Sequence, residues 1–162
     1  DRIPFRDGNR EYNGVFLGWH HSHQKASYSI TLPPGLATAR SVLTLSIATS
    51  DETETDDKFG MTDFTVAMEA DNGAIAKLPL SRFGTLLPPI EVRFMKLEPL
   101  DRQFYKNASE PVFQSLRLPL SAFAAQNIRF DPAKLKIVRF EFDRTPSRSI
   151  IVSEIGFSDS LQ

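Results

Sequence analysis

Regular alternation of apolar and polar residues is the feature that most limits what this chain can fold into. It is clearest over residues 112–157, where three alternating runs are separated by short turn segments. Successive side chains of a strand point to opposite faces, so such alternation predicts strands that bury one face. Helical periodicity is nearly absent from the chain. The pattern therefore predicts an all-β fold in which two antiparallel sheets pack face to face.

About nine strands are expected from the alternation and the turn residues between them. They are predicted at residues 15–19, 26–32, 41–49, 64–69, 74–80, 91–97, 112–118, 135–143 and 150–157. The best hairpin signal is Asp71-Asn72-Gly73 between two alternating runs, because Asn-Gly suits a tight turn. Single helical turns are expected near residues 120–125 and 132–135. The predicted core residues are Leu43, Leu45, Ile47, Val66, Leu116, Val138, Phe140 and Ile155.

The composition of the chain excludes several classes of function. The 162 residues suit one domain spanning residues 1–162. The chain has no cysteine, which excludes disulfides and thiolate metal sites. A net charge of -1 argues against a general affinity for nucleic acid or anionic membranes, and no apolar run approaches the roughly 20 residues of a membrane span. Because the chain starts at Asp1 without a Met or a signal peptide, we expect it to be excised from a larger protein.

Three segments near the end of the chain carry a family resemblance. They are Leu118-Pro-Leu-Ser-Ala-Phe123, the run of residues 135–142 that ends in Phe-Glu-Phe, and Glu154-Ile-Gly-Phe157. Together they resemble the closing strands of the galactose-binding-like jelly roll, with Glu154 in place of the usual Asp. That sandwich is common among carbohydrate-binding modules and other accessory domains of secreted hydrolases. Residues 78–97 also look like C-terminal domains that follow hydrolase modules in bacterial secreted proteins.

The resemblance implies a non-catalytic accessory module of a larger extracytoplasmic protein. Its role would be to bind carbohydrate or to pack against a catalytic domain, and Phe83, Leu86, Leu87 and Phe94 are the candidates for an exposed packing surface. The alternative is a small β-sandwich hydrolase that uses a carboxylate pair, such as Glu69 or Glu141 with a loop acid. The sequence has no Gly-x-Ser-x-Gly elbow, no His-Glu-x-x-His helix and no glycine-rich phosphate loop. A cleft with two facing acids would favour the enzyme.

The same resemblance implies a structural calcium ion between the first strand and the last. Calcium takes six to eight oxygen ligands from carboxylates and carbonyls. The matching position on the last strand is Glu154, and early partners would be Asp7, Asn9 or Glu11. The alternative is that Glu154 faces water on an edge strand.

Two other clusters of potential metal ligands are better explained without a metal. Residues 51–57 carry five carboxylates but lack the spacing and the glycine of an EF-hand, so a solvated loop is expected. His21 and His23 would share one face of a strand, next to His20, yet no Cys or further His supplies the remaining zinc ligands. Asn107-Ala-Ser109 matches an N-glycosylation acceptor.

Aromatic and basic side chains are the candidates for ligand binding. Sugar rings stack on Trp or Tyr, and the candidates of those types are Trp19, Tyr12, Tyr28 and Tyr105. Trp19 also suits a core position next to Gly18. On the late strands, Arg93, Arg117 and Arg139 alternate with apolar residues and are expected to point away from the core. They form either a basic stripe for an acidic sugar or partner domain, or a solvated face balanced by Glu91 and Glu141.

Overall fold

The computed structural model describes residues 2–7, 10–20, 26–50, 61–92 and 109–159, and these form a two-sheet antiparallel sandwich, as predicted. The larger sheet has the spatial order β1 (Arg2–Asp7), β2 (Arg10–Trp19), β11 (Arg148–Asp159), β4 (Ser41–Ser50) and β9 (Gln114–Pro119). The smaller sheet has the order β3 (Ser27–Thr31), β10 (Leu135–Glu141), β5 (Thr65–Ala70) and β6 (Ile75–Pro79). A separate pair joins β7 (Ile90–Glu91) to β8 (Ser109–Glu110).

Helical structure in the described residues is short; the segments after β9 and before β10 lie where the sequence predicts them, whereas the turn at Leu80–Arg82 was not predicted. Helix α1 (Leu120–Gln126) directly follows β9 and buries Leu120 and Phe123 against the core. Single 3-10 turns occupy Leu80–Arg82 and Pro132–Lys134. None of the helices in the described ranges is long and apolar enough to cross a membrane.

The two sheets enclose one continuous apolar core. Seven of the eight predicted core residues are buried, and the eighth, Ile155, is partly buried against the same cluster. On β4, Leu43, Leu45 and Ile47 are at most 1% exposed, because alternate residues of this strand face the opposite sheet. The alternation in the sequence therefore identified the inner face correctly.

A β-bulge in β11 decides which residues of the last strand face outward. The register with β4 shifts between Val152 and Glu154, so one extra residue interrupts the alternation. Val152 and Ile155 consequently both belong to the core side although they are three positions apart. Glu154 points to the outside and is exposed.

The β5–β6 hairpin turns at the predicted Asp71-Asn72-Gly73. Gly73 adopts φ +79°, a left-handed conformation that glycine accepts without a steric penalty. The Asn72 side chain accepts a hydrogen bond from Ala74 N at 3.0 Å, as expected of an Asx turn.

Side chains cover the outer edge of β6, which is the last strand of the smaller sheet. Gln126 Oε1 accepts a hydrogen bond from the backbone N–H of Lys77 at 3.3 Å. Asn127 Nδ2 donates to the carbonyl of Ile75 at 2.8 Å. These two amides come from the end of α1 and occupy positions where a further strand would pair.

The N-terminal part of the fold was the least well predicted. β1 was not expected, and β2 begins at Arg10 rather than at Val15. Of the strand expected at residues 91–97, the structure describes only the beginning, in β7. The segments at residues 51–57, around His21 and His23, and at Asn107 lie outside the described residues.

Candidate functional site on the outer face of the larger sheet

Small residues are common among the outward-facing side chains of the larger sheet. We call this surface the outer face; it consists of the side chains on β2, β11, β4 and β9 that point away from the core. The small residues among them are Gly18, Ser46, Ala48, Ser50, Ser115, Ser149 and Gly156. Ala48, Ser50 and Ser149 are buried, whereas Ser46 and Gly156 are half-buried and Gly18 and Ser115 are exposed.

The polar centre of the outer face lies on β11, β4 and β9. Glu154 pairs in register with Ser46, which pairs with Ser115. In the next row, Gly156 pairs with Thr44, which pairs with Arg117. Glu154 and Arg117 are both exposed and stand two strands apart, a lateral distance of about 10 Å. A carboxylate and a guanidinium thus flank a strip of hydroxyl groups.

An apolar row lies beside this polar centre. Phe16 of β2 pairs in register with Ile151 of β11, which pairs with Ala48 of β4. Ile151 is 7% exposed and Ala48 is fully buried, whereas Phe16 is half-buried. The Phe16 ring lies close to Gly18, because a Cβ at position 18 would be only 3.3 Å from Phe16 Cε1. Phe16 was not among the sequence candidates.

The outward surface of the smaller sheet is different, because its charges are paired with one another. Arg139 contacts Glu69 at 3.2 Å and Glu141 at 3.9 Å, and Lys77 contacts Glu141 at 2.8 Å. Arg139 also donates from Nε to the Ser29 hydroxyl at 3.2 Å. The surface is therefore an electrically balanced ion-pair network rather than a site with uncompensated charge.

These positions correct the prediction of a basic stripe. Arg117 lies on the outer face of the larger sheet, and Arg139 lies on the opposite side of the sandwich. They cannot form one surface, because β9 and β10 belong to different sheets. The alternative prediction, a solvated sheet face on which Glu141 is a counter-charge, is the one that fits Arg139. Arg93 and the side chain of Glu91 lie outside the described residues.

The two aromatic candidates whose side chains are described, Trp19 and Tyr28, are not exposed platforms. Trp19 is 3% exposed, its Nε1 donates to the carbonyl of Thr145 at 2.8 Å, and its ring stacks on Phe142 with centroids 4.3 Å apart. Trp19 thus belongs to the core, which corrects its prediction as a sugar-stacking residue: both the ring and its polar atom already have protein partners. Tyr28 is half-buried and packs against the core, 6.4 Å from Phe140. Tyr12 pairs with Phe5 in the β1–β2 hairpin, but its side chain lies outside the described part, as does Tyr105.

Of the residues predicted to bind calcium, Glu154 is the one whose side chain is described. Asp7 and Glu11 lie in the β1–β2 hairpin, where only the backbone is described, and Asn9 falls outside the described ranges. Pairing of β2 with β11 ends at Val15 and Val152, and Glu11 is four residues further along β2, about 13 Å at the usual rise. No group of three or more His, Cys, Asp or Glu suited to a metal occurs among the described side chains. Calcium therefore stays a prediction.

The carboxylates proposed for a hydrolase are engaged elsewhere. Glu69 and Glu141 both lie on the outward surface of the smaller sheet, with Arg139 in contact with each. A glycosidase needs two acids facing a substrate across a cleft. These two instead neutralise neighbouring cations on a sheet surface, so the hydrolase alternative is not favoured.

The predicted packing surface is only partly exposed. Leu86 is 1% exposed and unavailable to a partner, and Phe83 is half-buried and stacks on Phe123 with centroids 5.6 Å apart. Leu87 is 52% exposed, and the bridge between Thr62 and Leu86 brings it next to Met61, which is 66% exposed. Phe94 lies outside the described residues.

Comparison with known proteins gives matches by structure and not by sequence. No family model matches the chain, and no curated protein matches its sequence. The structure is similar to the family 30 carbohydrate-binding module of the cellulosomal cellulase Cel9D-Cel44B of Clostridium thermocellum, with a TM-score of 0.63 and 11% identity over 98% of this chain and 82% of that one. The chain has the jelly-roll fold of these modules. This confirms the predicted fold class and the fold resemblance.

Two further structures extend the comparison. A family 11 carbohydrate-binding module from Clostridium thermocellum, in complex with a β-1,3-1,4-mixed-linked tetrasaccharide, matches with a TM-score of 0.60 and 11% identity over 100% of this chain and 84% of that one. An exo-β-agarase matches with a TM-score of 0.58 and 10% identity over 99% of this chain but only 22% of that chain. At these identities the similarity establishes the shared fold.

Proposed function

We propose that this domain is a non-catalytic carbohydrate-binding module that holds a polysaccharide chain on the outer face of its larger sheet. The observation that carries the proposal is the structural similarity to carbohydrate-binding modules of two families over 98% or more of this chain. The fold alone does not fix a function, so the chemistry of the outer face is the second support.

That chemistry suits the hydroxyl groups of a sugar. Glu154 accepts hydrogen bonds, Arg117 donates them, and the hydroxyls of Ser46 and Ser115 can do both. Hydrogen bonds to charged groups are the stronger ones. Neutral chains can satisfy a carboxylate and a guanidinium together, whereas a uniformly acidic glycan would be repelled by Glu154. We therefore propose a neutral polysaccharide, and a β-1,3-1,4-linked glucan is the first ligand to test because a structural neighbour holds a tetrasaccharide of that linkage.

Replacing Arg117 with alanine is expected to weaken glucan binding about 10- to 100-fold, since a hydrogen bond to a charged group contributes about 1.5–3 kcal/mol. The matched control is Arg139→Ala, which removes a half-buried arginine from the opposite side of the sandwich and should leave the affinity unchanged. Isothermal titration calorimetry with mixed-linked glucan oligosaccharides measures both. Equal losses in the two variants would place the ligand elsewhere.

We further propose that the domain acts as an accessory part of a larger, extracytoplasmic protein. A tethered binding module raises the local concentration of substrate at its neighbour without doing chemistry. Met61 and Leu87, which are exposed and adjacent, suit a contact with such a neighbour. Detection of the full-length protein in culture medium of the source organism, by an antibody to this domain, tests the localisation.

Structural calcium is also a proposal, with Glu154 as one ligand and the β1–β2 hairpin supplying the others. An ion that binds only the native state at 100 times its Kd adds about 2.7 kcal/mol to the free energy of unfolding. We expect millimolar calcium to raise the melting temperature, chelator to lower it, and Glu154→Gln to remove the difference. A melting curve that is the same in calcium and in chelator excludes this site.

A further inference from the structure

We propose that β3, an edge strand of the smaller sheet, pairs with β3 of a second copy of this chain, so that two domains join edge to edge in a weak two-fold dimer. This surface is separate from the outer face, and its role does not depend on glycan binding. Three properties of β3 carry the proposal: unused backbone hydrogen-bonding groups, an uncharged sequence, and side chains that match those of an identical strand.

The alternation of backbone hydrogen bonds shows which groups of β3 point away from the sheet. Leu32 N donates to the carbonyl of Lys136 at 2.8 Å, and Phe142 N donates to the carbonyl of Ala26 at 2.9 Å. Because every second residue of an antiparallel strand bonds the same neighbour, the even-numbered residues of β3 bond β10. The odd-numbered residues direct their N–H and C=O groups to the opposite side, and they are Ser27, Ser29 and Thr31.

These outward backbone groups have no partner in the described part of the chain. β3 is the first strand in the order of the smaller sheet, and no described hydrogen bond reaches the N–H or C=O of the three odd-numbered residues. All three side chains are exposed. Such a row of unpaired groups is a template for a further strand. The β6 edge of the same sheet differs, because Gln126 and Asn127 bond its backbone.

The sequence of β3 does not protect this edge. Edge strands that must not pair usually carry a charged residue, a proline or a β-bulge. The sequence of β3 is Ser-Tyr-Ser-Ile-Thr, and its register with β10 runs without a shift from Ser27 to Thr31. The edge is therefore regular and uncharged over its whole length.

A second copy of β3 is the occupant that this edge fits. If the two strands lie antiparallel about Ser29, the two Ser29 residues face each other and Ser27 faces Thr31. This register makes three facing pairs with two N–H···O bonds each. On the inner side, Tyr28 faces Ile30 of the second copy, an aromatic and β-branched pair of the kind that stabilises antiparallel sheets. Both residues are half-buried, so each has surface left to cover.

Charge and topology also suit a closed dimer. Arg139 of β10 donates from Nε to the Ser29 hydroxyl at 3.2 Å and contacts Glu69. In the dimer the two Arg139 residues are three strand spacings apart, about 14 Å, so they do not oppose each other directly. Because side chains cover the β6 edge, pairing at β3 gives a two-fold dimer rather than an extended fibre. An interface of five residues from each copy is small, so we expect a Kd on the order of 0.1 mM.

The first test is sedimentation equilibrium of the whole chain from about 10 µM to about 1 mM. Ser29→Glu places two carboxylates face to face across the dimer axis, and we expect it to weaken dimerisation about tenfold. The matched control is Ile75→Glu, which adds a carboxylate at the covered β6 edge and should leave the Kd unchanged. Urea unfolding of each variant establishes that it is folded.

Single-cysteine variants test the register, since the chain has no cysteine of its own. In the proposed pairing the two Cα atoms at position 29 are about 5.5 Å apart, whereas those at position 27 are about 14 Å apart. Only the first distance permits a disulfide. Under mild oxidation we expect Ser29→Cys to form a covalent dimer at least about tenfold faster than Ser27→Cys.

Three results would overturn the proposal without bearing on glycan binding. A chain that stays monomeric at about 1 mM has no such dimer, and the β3 edge is then left to an extended segment of another protein. An unchanged Kd in Ser29→Glu means that the copies meet at another surface. Equal rates of cross-linking through Ser27→Cys and Ser29→Cys mean that the strands do not pair about Ser29.

Discussion

Replacing Trp19 with alanine is expected to lower the free energy of unfolding by about 3–5 kcal/mol, the usual cost of truncating a large buried aromatic residue. The indole is 3% exposed and lies between the two sheets. Its removal leaves a cavity beside Phe142, on which it stacks. It also removes the hydrogen bond from Nε1 to the carbonyl of Thr145, which fastens the loop between β10 and β11. Urea unfolding followed by circular dichroism measures the loss.

Trp19→Phe is the matched control for this experiment. It retains an aromatic ring to pack on Phe142 but removes the N–H donor, so the Thr145 carbonyl loses its partner. We expect a smaller loss of about 1–3 kcal/mol, the cost of an unsatisfied buried polar group. If Trp19→Ala instead keeps its stability and loses only glycan binding, the indole is a surface platform and its placement in the core is wrong.

Removing the carboxylate of Asp63 is expected to cost about 2–3 kcal/mol, because several donors lose a charged acceptor together. Oδ1 accepts from the backbone N–H of Phe64 at 3.0 Å and of Ser81 at 2.9 Å. Oδ2 accepts from the Ser81 hydroxyl at 2.9 Å and from Arg144 Nε. The carboxylate thus links the start of β5, the 3-10 turn after β6 and the loop between β10 and β11. The Thr145 carbonyl of the same loop accepts the hydrogen bond from Trp19. Partial exposure of these groups keeps the loss below the sum of the four bonds.

Asp63→Asn and Arg144→Ala separate the contributions at this site. The asparagine retains an oxygen at the position that serves the two backbone N–H groups, so we expect roughly half the loss seen for Asp63→Ala. A double-mutant cycle with Arg144→Ala isolates the ion pair, for which about 1 kcal/mol or less is expected at a partly exposed position. If Asp63→Ala is as stable as the parent chain, the Asp63 carboxylate does not hold the loop between β10 and β11 in place.

Local pattern was sufficient to predict the fold because most of the strands carry their own two-residue period. The buried positions of β4 follow directly from that period, and the Asn72-Gly73 turn follows from the conformation that glycine permits. The period fails at the bulge in β11, since an inserted residue changes the phase without a characteristic residue type. Ile155 was correctly predicted as a core residue. Strict alternation, however, would place Val152 and Ile155, which are three positions apart, on opposite faces, so it cannot predict that both point inward.

The candidate site was harder to predict because it depends on which sheet each strand joins. Arg117 and Arg139 have the same local environment in the sequence, a cation between two apolar residues. Their strands join different sheets, which only the topology shows. Trp19 was a candidate platform for the same reason, since alternation does not say which face of β2 is the inner one.

The covered edge of β6 also bears on how this domain behaves when many copies are gathered on one polymer. An open edge strand can template pairing with another chain, and crowding along a polysaccharide favours such pairing. At β6 a second molecule could extend the sheet only after displacing Gln126 from Lys77 and Asn127 from Ile75. If the domain binds a polysaccharide as proposed, two side-chain amides at the end of a short helix thus help neighbouring copies on the same polymer remain separate molecules at this edge.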